Sequence, residues 1–263
     1  MALISVDKSL CMHCGVCAEE CPAMLLVQSG NEVPEAIPSG EKLCIRCGHC
    51  VAACPHDALR LDDLPAYGWA EVSPDLEVSP EAAVQLLRGR RSVRVYQKRP
   101  VPRETLVQVL EVTRWAPTAT NRQTVKWLVL EDSEKVRALA GKVVEGLRPN
   151  PYFARMVADW EAGCDRIFRG APHLVVNYAP TQGFDPSADC TIALSYLDIA
   201  AHAHGLGTCW AGVLMAAIPT QPDIPAFLEI PEGHRICGAM MIGFPKHRYK
   251  RIPVRNPLTI TWK

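Results

Sequence analysis

Apolar positions in the C-terminal two thirds of the chain recur with helical spacing in some stretches and run unbroken in others. Ser79-Pro80-Glu81 offers a hydroxyl cap, a proline at the first helical position and an acid in the first turn. A helix is therefore predicted through Ala83, Leu86 and Leu87, stopping near Gly89. A second runs from about Arg103 to Trp115, with Leu106, Val109, Leu110 and Thr113 along one face. A strand is predicted at Lys126–Glu131, then helices at roughly Glu134–Leu147 and Phe153–Phe168, and a buried strand at Ala171–Tyr178. A long Ala-rich helix, Ala188–His204, ends at Gly205, and Ile236–Phe244 is the last strand. Ahead of all this, Asp62 to Pro80 holds three prolines, a glycine and several acids and reads as a linker, with Tyr67 and Trp69 available to dock it. The expected division is a domain over 1–62, a linker over 63–79 and a domain over 80–263.

The first sixty residues are organised by cysteine. Eight of twelve cysteines fall between positions 11 and 54, as Cys11-x2-Cys14-x2-Cys17-x3-Cys21-Pro22 and Cys44-x2-Cys47-x2-Cys50-x3-Cys54-Pro55. Gly15 and Gly48 follow the second cysteine of each set. The two sets are copies of one supersecondary unit. Three thiolates three residues apart on a tight loop reach three irons of one cube, and the fourth, before proline, points back at the other cluster. The spacing thus predicts two [4Fe–4S] clusters, one on Cys11, Cys14, Cys17 and Cys54, the other on Cys44, Cys47, Cys50 and Cys21. Zinc sites usually stop at two Cys-x2-Cys pairs and lack the Cys-Pro end. A disulfide framework implies export. The start, Met-Ala-Leu-Ile-Ser-Val-Asp-Lys, has no basic segment followed by an apolar one, so a reducing, cytoplasmic setting is expected.

Charge narrows the partners. Net charge is zero, with 28 basic and 28 acidic residues, which argues against nucleic acid or an anionic membrane as a general partner. No apolar run is long enough to span a bilayer; Gly205–Ile218 and Ile236–Phe244 are both too short. The basic residues are nevertheless clustered. From Leu87 to Arg103 there are seven and no acid, and Pro245 to Arg255 is a second basic run. Guanidinium forks beside Ser92 suit a phosphate, and two such runs meeting at one phosphate outweigh a merely solvated surface. Ala116 to Gln123 is a loop of hydroxyls and amides suited to a polar ring edge or ribityl chain. Gly205-Leu206-Gly207-Thr208-Cys209-Trp210 has Trp210 where a dinucleotide fingerprint needs its third glycine, and there is no phosphate-binding P-loop sequence. His202 and His204 read as structural; Cys164, Cys190 and Cys237 read as small core residues. Cys209 packs in the core or touches a cofactor.

Residues 1–62 resemble a bacterial two-cluster ferredoxin. Residues 80–263 resemble the nitroreductase family of FMN-dependent oxidoreductases, through Arg90-Arg91-Ser92-Val93-Arg94, Ala116-Pro117-Thr118 with Asn121 and Gln123, Gly205 to Gly212, and Gly243-Phe244-Pro245 with its basic tail. The resemblance is to a ferredoxin–nitroreductase fusion and implies an α+β FMN domain that forms a homodimer with two interface sites. It implies Arg90 and Ser92, with neighbouring Arg91, at the FMN phosphate, and Arg94 along the ribityl chain or ring edge. Arg251, with Lys250 or Arg255, would close from the C-terminal side. Pro117, Thr118 and Ala119 would reach the partner's flavin, and Cys209, Trp210, Ala211 and Gly212 would lie on one ring face. Tyr152, Phe153 and Trp160 fall where such enzymes shape the substrate mouth. The implied activity passes electrons from reduced ferredoxin or a similar donor through the clusters to FMN. A nitro, quinone or activated-alkene acceptor receives them, with no catalytic side chain assigned. An electron-transfer subunit serving another protein and an NAD(P)H-driven nitroreductase are the alternatives.

Overall fold

The computed structural model describes residues 3–62 and 69–263. Residues 63–68, the start of the expected linker with Tyr67, lie outside the described residues. Two compact units emerge, one comprising Met1–Glu77 with Ala119–Arg122 and the other Val78–Thr118 with Gln123–Lys263.

The first unit is built from short pieces: β1 (Ile4–Val6), α1 (Val16–Glu19), β2 (Leu26–Val27), β3 (Glu35–Ala36), α2 (Gly40–Leu43), α3 (His49–Ala52) and β4 (Leu59–Leu61). β1 pairs antiparallel with β4, Ile4 facing Leu61, and β2 with β3, Leu26 facing Ala36. Ile4, Leu26, Leu59 and Leu61 form a small core with Cys17 and Cys50. So few apolar side chains leave a domain of this size in need of a further cross-link.

The second unit begins with α4 (Pro80–Gly89), and the Ser79 hydroxyl accepts from the Ala82 N–H at 3.2 Å, as a cap should. α5 (Arg103–Glu111) tightens into a 3-10 turn over Val112–Trp115. Then come β5 (Lys126–Leu130), α6 (Ser133–Leu147), α7 (Ala154–Glu161), β6 (His173–Pro180), α8 (Ser187–Ala203), β7 (Gly207–Trp210), α9 (Gly212–Ala217), α10 (Ile224–Phe227) and β8 (His234–Gly243). The sheet is antiparallel in the order β5-β6-β8-β7. Its central strands alternate strictly between two cores. Leu174, Val176, Ala239 and Met241 face the side holding Val136, Leu139, Val143 and Leu214; Val175, Met240 and Ile242 face the side holding Leu106, Val109, Leu194 and Leu197. Helices cover both faces, and the fold is α+β.

Two expectations need correction. The helix expected over Phe153–Phe168 stops at Glu161, because Gly163 turns to φ 81° and the Asp165 carboxylate then accepts from the Ile167, Phe168 and Gly170 N–H groups. Gly207–Trp210, to which the sequence assigned no element, is an edge strand on β8. Cys164 is exposed, not core; Cys190 is buried and Cys237 half-buried. Cys237 is the extra residue of a bulge, since Asn177 pairs with Gly238 while Tyr178 pairs with Ile236.

Candidate functional site

The cysteine repeat persists in backbone angles. Gly15 and Gly48 have φ of 77° and 74°, His13 and Arg46 59° and 52°, and Met24 and Asp57 52° and 51°. Left-handed residues at matching places wrap each ligand loop tightly. The Leu25 N–H donates to Cys21 Sγ and the Ala58 N–H to Cys54 Sγ, both at 3.3 Å; the Arg46 N–H donates to Cys44 Sγ at 3.4 Å. Such bonds favour the negatively charged sulfur. Among the described residues no three ligand side chains are close enough to share one ion. Instead two cavities form, one lined by Cys11, Cys14, Cys17 and Cys54, the other by Cys21, Cys44, Cys47 and Cys50. Burial, then the neighbouring Cys54, pushes the Cys17 thiol up; burial pushes Cys50 to about 11, with Cys21, Cys47 and Cys44 contributing. Thiols crowded and buried in this way deprotonate readily only beside a strong positive charge, which iron supplies. The donor set and its grouping fit iron–sulfur clusters.

In the second unit the extended segment after α4 is stitched to the sheet. Ser92 bridges Thr208, the Val93 N–H donates to Thr208 O at 2.8 Å, and the Gln97 N–H donates to Phe244 O at 2.8 Å. The Lys246 N–H returns a bond to Val95 O at 3.0 Å. The segments carrying the two basic runs therefore lie side by side. Within them Arg90 meets Asp198 at 3.2 Å, and the Thr208 hydroxyl donates to the same carboxylate. Arg91 and Ser92 are half-buried, while Lys250, Arg251 and Arg255 are exposed beyond the last strand.

A cavity of about 260 Å³ opens beside this stitch, lined by Arg94, Arg166, Arg169 and the run Cys209, Trp210, Ala211 and Gly212. A Cβ built on Gly212 meets nothing within 4 Å, so the cavity reaches its backbone. Arg166 is partly neutralised by Asp159 at 3.3 Å. The Cys209 thiol is pushed up by burial, against the downward pull of Arg94 and Arg169, and stays a neutral packing group. Three guanidiniums around an open pocket fit an anionic, ring-bearing cofactor such as FMN.

Thr118 and Gln123, downstream of Pro117, line a different cavity of about 250 Å³ with Trp127 and Ala193, and the Gln123 N–H donates to the Thr118 hydroxyl at 3.0 Å. Ala119 and Asn121 belong to the first unit, where the Asn121 side-chain amide donates to Ile45 O and Arg46 O at 3.1 and 2.9 Å. Of the residues expected at the mouth, Tyr152 is exposed while Phe153 and Trp160 pack against the core. Sequence reasoning missed Arg166, Arg169 and Asp198. Arg166 was hidden inside the expected helix over Phe153–Phe168, Arg169 just past its end, and Asp198 by its place in an Ala-rich helix; an acid in such a helix was the available signal.

Residues 87–244 match the nitroreductase family, and residues 3–64 match a 4Fe-4S dicluster domain. A Methanothermobacter thermautotrophicus protein, provisionally named NADH dehydrogenase/NAD(P)H nitroreductase, is 30% identical over 175 residues, 65% of this chain and 81% of its own. A Bacillus subtilis protein named FMN reductase (NAD(P)H) is 29% identical over 178 residues, 65% of this chain and 68% of its own. Nitroreductases with bound FMN from Bacteroides fragilis and Desulfitobacterium hafniense superpose with TM-scores of 0.58 and 0.59 at 22% and 23% identity. They cover 68% of this chain in each case, and 98% and 96% of their own, which speaks to the fold. The chain belongs to the nitroreductase family and carries a 4Fe-4S dicluster domain ahead of the nitroreductase domain.

Proposed function

We propose that the protein is an iron–sulfur flavoprotein oxidoreductase in which electrons enter through two [4Fe–4S] clusters, pass to FMN and leave to an organic acceptor of nitro, quinone or activated-alkene type. The observation that carries this reading is the coexistence in one chain of two four-cysteine cavities and an arginine-lined pocket reaching the Gly212 backbone. When bound, the clusters supply single electrons and FMN exchanges them singly or in pairs.

The chain's own contributions follow from geometry. The backbone N–H groups of Leu25, Arg46 and Ala58, donating to Cys21, Cys44 and Cys54, favour charge on those sulfurs. Arg94 and Arg169 attract an anion to the pocket, and Asp198 holds Arg90, on the segment stitched to Thr208. The open Gly212 backbone lets a flat ring approach closely. Arg91, Ser92, Lys250, Arg251 and Arg255 remain the proposed phosphate side, with Pro117, Thr118, Ala119 and Gln123 proposed to meet the partner's flavin. A homodimer is supported by the unburied apolar face of α4, with Val84 and Leu87 exposed, and by exposed Trp115. No helix among the described residues is long and apolar enough to cross a membrane.

The names of the Methanothermobacter and Bacillus relatives favour a second reading, in which NAD(P)H reduces the flavin directly. Anaerobic stopped-flow with reduced ferredoxin, NADH and NADPH as separate donors decides between them. Fast flavin bleaching by ferredoxin alone supports the cluster route; bleaching by a nicotinamide alone supports the second.

A further inference from the structure

The two ligand loops are held by matching side-chain amides that come from unmatched places. In the first loop the Gln28 amide donates to His13 O at 2.9 Å. Adding the repeat offset (44 − 11 = 33) turns His13 into Arg46 and Gln28 into Leu61. Leu61 is a buried strand residue with no polar group to offer. The equivalent carbonyl, Arg46 O, instead accepts from Asn121 at 2.9 Å, and the same amide also takes Ile45 O at 3.1 Å. Residues 119–122 pack as part of the first unit although they lie far beyond the dicluster sequence. Asn121 sits at φ 53°, a conformation asparagine tolerates better than most residues.

The Ile45 carbonyl and the Arg46 N–H belong to one planar peptide unit, and that N–H donates to Cys44 Sγ at 3.4 Å. Fixing the carbonyl fixes the aim of the N–H, and the amide polarises the pair so that its bond to sulfur strengthens. Hydrogen bonds to cluster sulfur stabilise the more negative, reduced state. We infer that Asn121 is a positioning residue for the cluster on Cys44, Cys47, Cys50 and Cys21, replacing from outside the ferredoxin sequence the clamp that Gln28 provides for the other cluster. The inference rests on the proposed two-cluster reading. The clamp on this cluster comes from outside the matched dicluster sequence, and the clamp on the other from within it.

Asn121→Gly and Asn121→Asp in the full-length, iron-loaded protein test it. Both accept a positive φ and neither can donate from the side chain; Gln28→Ala is the counterpart. Hydrogen exchange by mass spectrometry and EPR-monitored redox titration are the readouts. The Asn121 variants are expected to speed exchange over 45–47 about fivefold, as for loss of roughly 1 kcal/mol, with 12–14 unchanged. One cluster's midpoint shifts negative. Gln28→Ala reverses the selectivity, affecting 12–14 and the other cluster. Unchanged exchange at 45–47 in both Asn121 variants, or equal shifts of both clusters, overturns the inference. Iron content separates it from the reading beneath. Wild-type protein well short of about eight irons per chain sinks the two-cluster reading, while exchange still reports on the clamp.

Discussion

Asp198 offers the sharpest test of how Arg90 is held. Its carboxylate is 9% exposed, accepts the Thr208 hydroxyl, and pairs at 3.2 Å with an Arg90 side chain that is 26% exposed. Replacing it with alanine strands both partners. Breaking a fully buried pair costs about 3–5 kcal/mol, and the partial exposure of Arg90 lowers that to about 2. The orphaned Thr208 hydroxyl, itself buried, adds about 1 kcal/mol. A loss of about 2–3 kcal/mol in a unit of this size lowers Tm by roughly 4–12 °C. Asp198→Asn keeps an acceptor for Thr208 and loses the charge, so it is expected to fall between alanine and wild type. The assay is thermal unfolding of the flavin-free protein by circular dichroism, run as a double-mutant cycle with Arg90→Ala. A coupling of about 1 kcal/mol or more is expected for residues in one network. A coupling near zero, with Asp198→Ala within about 1 °C of wild type, refutes the view that Arg90 is pre-positioned by Asp198.

Other outcomes follow from the same geometry. His173 is buried, its Nε2 accepts from the Val101 N–H at 2.8 Å and its Nδ1 bonds Glu131 O at 2.9 Å. Burial holds its pKa below the ordinary value, so the unfolded chain binds the proton first. Its stabilisation is whole above about pH 6.5 and falls away as pH drops toward the folded pKa; urea titrations from pH 7.5 to 5 should show a stability slope that shrinks in His173→Gln. Gly207→Ala places a Cβ 2.5 Å from Val93 Cγ2 and 2.7 Å from Val93 Cβ. Overpacking of about 1–3 kcal/mol should loosen the Ser92–Thr208 stitch, read as weaker flavin retention on gel filtration. Arg169→Gln removes a cation from the pocket and should weaken FMN binding about tenfold by fluorescence titration; unchanged affinity places the flavin elsewhere.

The readable parts of the sequence were those where one local rule acts alone. The cysteine repeat survives as matched φ angles at His13 and Arg46, Gly15 and Gly48, and Met24 and Asp57. Ser79 caps its helix because a hydroxyl, a proline and an acid all act within one turn. Strands β6 and β8 read as continuous apolar runs because each strand is buried on both faces. What stayed hidden depends on side chains meeting across the fold. The Asp165 carboxylate gathers three N–H groups and ends a helix that periodicity alone would extend, and so places Arg166 and Arg169 in the pocket. Gly207–Trp210 is a strand because β8 offers an edge, not because its four residues favour one. Asn121 read as part of a polar loop; nothing nearby in sequence points to the carbonyls of Ile45 and Arg46.

The central claim is that the clusters feed the flavin within one molecule. The most direct measurement reduces the anaerobic, fully loaded protein with a one-electron donor and follows flavin absorbance and cluster EPR together. Wild-type flavin should bleach at a rate independent of protein concentration, and Cys54→Ser or Cys50→Ser should slow that bleaching while leaving the flavin bound. Clusters that become reduced while the flavin stays oxidised contradict the claim.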